Sequence, residues 1–414
     1  IKKTVGANEV YMEGSVPYDE DGVGLFAEGG AGWDALPQTT RVIRFDGDYV
    51  NLWGFGDNIY LALHLEETHP DSTPIFYRMS PGGALETLLT RGGVNTICGY
   101  AVGEIVAVLE ATDGTVFCTS HSDPVHILRK RPSDDAFTSV YNDATMRTSY
   151  GMAIDDVGNI FATMRGAADI GGPHRSIIKS TDMGTTWATV WSDETTDWLF
   201  GIEAYGSYVV AGGEYIIVRS TNRGVDWATT VITKRPRATK CFGGVPLNTT
   251  KWAAFPAGAA YLISLDGGVT WTEPVNTLPV ALGSTPNPVS IRPNGEVYVL
   301  CGTGIQFARS RNLSKWDPSG LIYSGAQSRG IYVTDTHIYI SSSVSQTSAY
   351  YGQPDNGMVW IIPISTLEWA ESKETYLMHD ALDCTVDDTD YNSSSLIVLT
   401  AKKLLLEYTI TETG

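Results

Sequence analysis

The chain has 414 residues, of which 43% are hydrophobic, and its 43 glycines and 21 tyrosines favour turn-rich β-structure over long helices. It carries 47 acidic and 28 basic side chains, a formal net charge of −19, which argues against a nucleic-acid partner because phosphate binding needs a basic surface. No run of about 20 apolar residues is present, so membrane insertion is not predicted, and no signal peptide is visible in the chain.

Pairs of short apolar strands recur along the chain, each pair separated by a turn such as Val157-Gly158-Asn159. Such a pair predicts the first two strands of one structural repeat. In chain order the eight pairs are Asn51–Leu65, Thr96–Thr112 leading into Val116–Thr119, Tyr150–Met164, Phe200–Ala211, Lys240–Phe255, Val289–Leu300, Gly330–Ser341 and Cys384–Leu399.

A second pattern repeats after four of these pairs. The sequence S-T-D-M-G-T-T-W at Ser180–Trp187 returns as S-T-N-R-G-V-D-W at Ser220–Trp227 and as S-L-D-G-G-V-T-W at Ser264–Trp271. A shorter copy without the glycine spans Ser310–Trp316. The copies start 40, 44 and 46 residues apart, the length of a four-stranded propeller blade.

The repeated motif resembles the Asp box of sialidases and of bacterial-neuraminidase repeats. That resemblance implies an all-β fold, a single β-propeller domain over 1–414, with the Asp-box blades in 150–323. The eight strand pairs predict eight four-stranded blades, or else seven because the second pair is long and the last is short. The last unit ends in the strand Lys403–Ile410 and offers only three strands. Its fourth strand is therefore expected from the N-terminal region, either Glu9–Glu13 or Arg41–Phe45.

The strand order of a blade predicts where a binding site lies. Asp boxes connect third and fourth strands, so the opposite face carries the ends of second strands and the links between blades. On that face we predict catalytic groups and substrate-binding groups, because imidazole, phenol and guanidinium suit proton transfer and carboxylate binding. The predicted catalytic residues are His64, His121, Tyr150, Arg165 and His379, and the predicted substrate-binding residues are Arg147, Glu214, Tyr215, Arg329, Tyr350 and Tyr351.

Three functions remain open from the sequence. The face chemistry looks like that of propeller polysaccharide lyases, so the first is an enzyme that cleaves an acidic polysaccharide by elimination or by hydrolysis. The second is a non-catalytic propeller that binds a glycan or receptor on a phage virion or cell surface, and the third is a protein-interaction scaffold. Sialidase activity is not expected, because T-R-V-I-R-F around Arg41 and Arg44 lacks the proline of the F/Y-R-I-P segment.

Partners, cofactors and location follow from the same residues. The expected partner is a polysaccharide or glycan, and no cofactor is predicted, with calcium left open as a structural ion near turns such as Asp387-Asp388-Thr389-Asp390. The odd number of cysteines without CxxC spacing predicts buried free thiols. An extracellular or virion-associated location is expected. The five cysteines are Cys98, Cys118, Cys241, Cys301 and Cys384.

Overall fold

The computed structural model divides the chain into two compact units, Ile1–Leu367 and Glu368–Gly414. The second unit contains two of the strands given below, and all other described elements belong to the first. The structure describes residues 2–5, 8–11, 41–45, 49–65, 69–99, 102, 104–121, 124–166, 175–194, 198–213, 215–232, 236–241, 252–256, 260–274, 278–279, 282, 288–292, 295–300, 304–311, 313, 316–319, 326–344, 357–366, 395–399 and 405–409.

The N-terminal part of the chain contributes three strands and then the first blade. The three strands are β1 (Lys2–Val5), β2 (Asn8–Tyr11) and β3 (Arg41–Phe45). Blade 1 is the antiparallel sheet formed by β4 (Tyr49–Phe55), β5 (Asn58–His64), β6 (Pro74–Met79) and β7 (Leu85–Thr90).

A short helix, α1 (Arg91–Cys98), links blade 1 to blade 2. The hydroxyl of Thr90 accepts a hydrogen bond from the backbone N–H of Gly93, and Gly99 ends the helix at φ +81°. These caps satisfy the helix ends and stop its propagation. The predicted strand over Thr96–Thr112 is therefore wrong at its start, because Thr96 lies in α1 and the strand begins at Glu104.

Blades 2 to 4 each contain four antiparallel strands in chain order. Their first strands lie innermost and their fourth strands outermost. Blade 2 comprises β8 (Glu104–Glu110), β9 (Val116–His121), β10 (Val125–Lys130) and β11 (Thr138–Asp143); blade 3 comprises β12 (Met146–Ile154), β13 (Ile160–Gly166), β14 (Arg175–Ser180) and β15 (Ala188–Asp193); blade 4 comprises β16 (Leu199–Tyr205), β17 (Tyr208–Gly213), β18 (Ile216–Ser220) and β19 (Ala228–Val231).

Blades 5 and 6 are shorter versions of the same sheet. Blade 5 has three named strands, and a bridge between Ile263 and Thr272 adds its outermost pairing. The strands of blade 5 are β20 (Pro236–Cys241), β21 (Trp252–Pro256) and β22 (Leu262–Ser264), and those of blade 6 are β23 (Val289–Ile291), β24 (Val297–Leu300), β25 (Phe307–Ser310) and β26 (Asp317–Pro318).

A composite sheet, hereafter the closing sheet, joins distant parts of the chain. Its strands β27 (Ala326–Val333), β28 (His337–Val344) and β29 (Gly357–Pro363) are consecutive, a 3₁₀ turn at Ile364–Thr366 follows them, and β29 pairs with β3 from the N-terminal region. Strands β2 and β1 extend the sheet beyond β3. Arg41–Phe45 thus completes a sheet as expected, but it pairs with β29 rather than with the C-terminal strand.

The second unit accounts for the error in the predicted blade count. It contains a two-stranded antiparallel hairpin, β30 (Ser395–Leu399) and β31 (Leu405–Thr409). The described strands around the pair predicted over Cys384–Leu399 form a two-stranded sheet and no four-stranded blade. The expected count of eight is wrong, since six blades consist of consecutive strands and the closing sheet joins the last of them to the first.

The ring is visible in the neighbours of the innermost strands. Strand β4 lies beside β8, β8 beside β12, β12 beside β16, β16 beside β20, and β23 beside β27, which returns to β4. This arrangement of four-stranded sheets around a common axis is a β-propeller. In the part of the chain that the structure describes, no helix is long and apolar enough to span a bilayer.

The core consists of apolar clusters shared between neighbouring blades. In β13, Ile160 and Ala162 pack with Leu109 of blade 2, whereas Phe161 packs with Val209 of blade 4. Because side chains alternate across a strand, each inner strand is buried on both faces. This explains why the strands read as continuous apolar runs rather than as an alternating pattern.

The cysteine prediction is confirmed for the two cysteines whose side chains are described. Cys98 and Cys118 are buried thiols outside any disulfide, and both belong to the apolar cluster that spans blades 1 and 2. Burial, with a contribution from Cys98, raises the pKa of the Cys118 thiol. Both cysteines therefore act as small apolar side chains in this core.

The four repeated motifs, hereafter the box turns, connect third and fourth strands in the blades where those strands are described. At Ser180–Trp187 the Ser180 hydroxyl accepts from Gly184 N at 2.8 Å, and Asp182 accepts from Thr186 N at 2.8 Å. The same serine-to-glycine bond recurs at 2.8 Å in the box turn of blade 4 and at 2.7 Å in that of blade 5. The motif therefore encodes a self-contained turn.

Candidate functional site

The face opposite the box turns, hereafter the histidine face, is built from cross-strand pairs. First strands begin there and second strands end there, so antiparallel pairing sets Tyr49 opposite His64 in blade 1 and Glu104 opposite His121 in blade 2. In blade 3, Arg165 pairs with Thr148 at the same level. In each of these blades the polar side chains therefore lie on the first and second strands, which are rigid, rather than on long loops.

Glu104 is the carboxylate at the centre of this group. It is only 8% exposed, and its Oε1 accepts a hydrogen bond of 2.6 Å from Nδ2 of Asn51 in blade 1. Its Oε2 lies 3.6 Å from Nδ1 of His121. Burial alone would raise the pKa of Glu104, but His121, the charge of His64 and the Asn51 hydrogen bond together hold the pKa below its ordinary value. The carboxylate is therefore ionised at neutral pH.

A stack of rings and a guanidinium lies on one side of Glu104. The rings of Tyr49 and His64 are parallel within 13°, with centroids 4.6 Å apart. The guanidinium carbon of Arg329, from β27 of the closing sheet, lies 3.9 Å from the centroid of the Tyr49 ring. Three strands from two sheets thus bring an arginine, a tyrosine and a histidine together.

A similar stack lies on the other side, in blades 3 and 4. The ring of Tyr150 lies 6.4 Å from that of His121 and 6.0 Å from that of Trp198, to which it is parallel within 14°. The guanidinium carbon of Arg165 lies 3.6 Å from the Trp198 centroid. This second group also ends in an arginine held against an aromatic face.

The two stacked arginines differ from others in the molecule. Arg175, for example, forms an ion pair of 2.7 Å with Asp193. Among the described side chains, neither Arg165 nor Arg329 forms an ion pair with a carboxylate, although the chain carries an excess of 19 negative charges. A guanidinium that stacks on an aromatic ring without a carboxylate partner has donors that can bind a carboxylate.

Register shifts in the inner strands help to aim these side chains. In β8 the pairing with β9 shifts between Ile105 and Ala107, and in β12 the pairing with β13 shifts on both sides of Thr148. Bulges of this kind bend a strand and redirect its side chains. Gly151 also allows close approach, because a Cβ there would lie 2.6 Å from the carbonyl oxygen of Phe200.

The predicted site residues fall into three groups. The structure brings His64 and His121 close to Glu104, and ring contacts connect His64 to Arg329 through Tyr49 and His121 to Arg165 through Tyr150 and Trp198. Arg147 lies in β12, and Tyr215 is 40% exposed in the turn between β17 and β18 at φ +60°. Outside the described residues lie Glu214, Tyr350, Tyr351 and His379.

Sequence reasoning missed Asn51, Tyr49, Glu104 and Trp198. All four lie in or just before the first strand of a blade. The signal was present, since Glu104 and Tyr49 precede apolar runs at positions that pair with the predicted histidines. The buried Asn51 within β4 carried no such signal, because its partner comes from the neighbouring blade.

Metal binding was considered with the same residues. Over the described ranges, no group of three or more His, Cys, Asp or Glu side chains is arranged to hold a metal ion. The acidic run Asp387–Asp390, named above for calcium, lies outside those ranges.

Comparison with known proteins supports the fold. No protein family profile matches the chain, and no curated protein matches it. Streptogramin B lyase has a TM-score of 0.54 at 13% identity, over 77% of this chain and 97% of that protein. A catalytically inactive virginiamycin B lyase from Staphylococcus aureus with quinupristin gives 0.54 at 12%, over 78% and 99%. The WD40 repeats of RRP9 give 0.51 at 12%, over 78% and 97%.

These neighbours share the β-propeller architecture. Their identities of 12% and 13% are too low to carry over an activity or a partner. The chain is a β-propeller, and its chemistry has to be argued from its own side chains.

Proposed function

We propose that the protein binds an acidic polysaccharide on the histidine face and cleaves it by elimination. The observation that carries this proposal is the pair of stacked arginines, Arg165 and Arg329, which have no carboxylate partner among the described residues. They lie in blade 3 and in the closing sheet, the two sheets that flank blades 1 and 2. A uronate carboxylate is a matching anion, since guanidinium binds carboxylate through two parallel hydrogen bonds.

Elimination needs a base, an acid and a group that neutralises the carboxylate. In the proposed reaction His121 removes the proton on the carbon beside the carboxylate, and the electron pair forms a double bond as the glycosidic C–O bond breaks. Tyr150 donates a proton to the departing oxygen. An arginine binds the carboxylate and stabilises the negative charge that develops on it.

The box turns and the fold are compatible with a lyase. The turns resemble Asp boxes, and two structural neighbours are named as lyases. Both are consistent with the proposal without carrying it. An extracellular or virion-associated location would give such a protein access to its polymer.

The test is incubation with a panel of uronate polymers and neutral polymers, read by the ultraviolet absorbance of an unsaturated uronate and by new reducing ends. We expect both signals with uronate polymers only. H121Q should lower the rate by about 100-fold or more, as for loss of a general base. H337Q is the matched control, because His337 is the first residue of β28, directly after the β27–β28 turn on the other face.

Reducing ends without absorbance would replace elimination by hydrolysis. No product from any polymer would contradict the enzymatic proposal.

A second function, binding of an acidic glycan without turnover, is favoured by the Tyr150–Trp198 stack beside Arg165. Aromatic faces suit the apolar faces of sugar rings. Binding of uronate polymers that is weakened by R165Q and R329Q, without any product, would support this second function.

A further inference from the structure

The exposed imidazole of His121 lies beside a buried carboxylate. The His121 side chain is 46% exposed, whereas the Glu104 side chain is 11% exposed, and the closest approach is between Nδ1 and Oε2 at 3.6 Å. Register pairing of β8 with β9 fixes the two residues opposite each other. One ring nitrogen therefore faces protein, while the ring as a whole is open to solvent.

The Glu104 carboxylate is itself held from the neighbouring blade. Asn51 is 1% exposed in β4, and its Nδ2 donates to Oε1 of Glu104 at 2.6 Å. The two carboxylate oxygens are thus divided between an amide of blade 1 and an imidazole of blade 2. These two contacts restrict rotation of the carboxylate, which is what a residue that orients its neighbour requires.

Strand β8, which begins at Glu104, takes part in a second amide–carboxylate pair at its other end. Asn58 at the start of β5 donates to Glu110 at the end of β8 at 2.8 and 3.1 Å. This second amide–carboxylate pair also joins blades 1 and 2, but it lies at the opposite end of β8 from His121. A substitution of Glu110 therefore removes a contact between the two blades without changing the surroundings of the His121 imidazole.

We propose that Glu104, held by Asn51, is a positioning residue whose carboxylate favours the proton on Nδ1 of His121 and so makes Nε2 the basic nitrogen. The inference rests on the proposed function, because it specifies which nitrogen removes the substrate proton. A histidine with a carboxylate on one nitrogen and its other nitrogen free is the arrangement that orients a general base.

The direct test is the ¹⁵N spectrum of His121 in the full chain, because the two ring nitrogens have distinct shifts in the two neutral tautomers. In the parent protein we expect mainly the Nδ1–H tautomer at a pH where the ring is neutral. Isolated imidazole side chains favour the Nε2–H form, so an Nε2–H majority in the parent would overturn the proposal without any variant.

The variant E104Q gives the second readout. Its amide can place N–H groups toward Nδ1, so the Nε2–H share should rise at least twofold. E110Q is the matched control and should leave the His121 spectrum unchanged. An identical tautomer ratio in the parent and E104Q would overturn the proposal.

Kinetics separate this inference from the proposed function. If a uronate polymer is cleaved, E104Q should lower kcat by about tenfold to 100-fold with little change in KM, as expected for a supporting residue. E110Q should retain the parent kcat. If no polymer is cleaved, the proposed function fails, whereas the tautomer spectra still decide whether Glu104 positions His121.

Discussion

At the scale of single residues, the box turns show how a carboxylate can stabilise a turn without being buried. Asp182 accepts hydrogen bonds from Thr185 N at 3.0 Å, from Thr186 N at 2.8 Å and from Thr186 Oγ1 at 2.6 Å. Side-chain and backbone bonds from Thr186 lower its pKa to about 2. Asp266 repeats this arrangement with Thr270 and also has a pKa of about 2.

A carboxylate with a lowered pKa predicts how stability depends on acid. Because the pKa of Asp182 lies below the unfolded value near 3.8, its contribution is present above that value and is lost as the pH falls toward about 2. In D182N we expect a lower free energy of unfolding at neutral pH and a shallower loss between about pH 4 and pH 2, measured by urea titration.

The control for this experiment is D135N, which removes one charge from an exposed residue between β10 and β11. It should leave the acid dependence of the parent in place. An acid dependence in D182N that equals that of the parent would contradict the assignment. Blade 4 carries Asn222 at the equivalent position, where its Oδ1 accepts from Asp226 N at 2.8 Å, so the fold tolerates the amide.

At the scale of elements, each box turn also contacts the preceding blade. A Cβ at Gly184 would lie 2.6 Å from Cε1 of Phe117 in blade 2, and one at Gly224 would lie 2.7 Å from Cε1 of Phe161 in blade 3. Both glycines have positive φ, of 75° and 78°. The glycine of the motif is therefore required twice, by the backbone and by packing between blades.

Two glycine substitutions separate these requirements. Gly158 has φ +87° but open space around its Cα, so G158A should cost about 1 kcal/mol from the backbone alone. G184A should cost about 1–3 kcal/mol more, because its methyl group overlaps the Phe117 ring. Urea unfolding of both variants is the measurement, and equal costs would contradict a packing role.

Strands and turns were predictable from the sequence to different degrees. The apolar pairs predicted β4 with β5 and β12 with β13, because inner strands are buried on both faces. The helix α1 was missed, since its two glycines, Gly92 and Gly93, obscure the helical pattern. The bulges beside Thr148 were also missed, because they depend on pairing between strands and not on local composition.

The candidate site was predictable only in part for a related reason. His64 and His121 follow from strand order, which the box turns fix. Glu104 and Trp198 acquire their roles through contacts across blade boundaries, and single-sequence patterns do not report which residues meet there.

At the scale of the whole molecule, closure depends on strand β3. Residues Arg41 to Phe45 pair with Gly357 to Ile361 of β29, and Ile43 and Val359 are both fully buried. Closing a ring with a strand from the other end of the sequence leaves no free edge on β29. Closure by an N-terminal strand was predicted from the sequence, but the predicted partner was the C-terminal strand instead of β29.

Removal of β3 should expose that edge. A chain lacking residues 1–45 should unfold at lower urea concentration and form larger species through the open edge of β29, because unpaired strands recruit other strands. Size-exclusion chromatography with light scattering and urea titration are the measurements.

The matched variant I43A keeps the pairing but removes buried apolar volume, so it should cost about 2–5 kcal/mol while the protein stays monomeric. A truncated chain with the stability and size of the parent would contradict this role of β3.

The alternation of side chains in the inner strands has a consequence for how such a ring can diverge. A change at Ala162 is felt by blade 2, and a change at the adjacent Phe161 is felt by blade 4. The packing at each boundary between blades can therefore change separately, through substitutions at one set of alternate positions. The packing at the opposite boundary of the same strand is then retained.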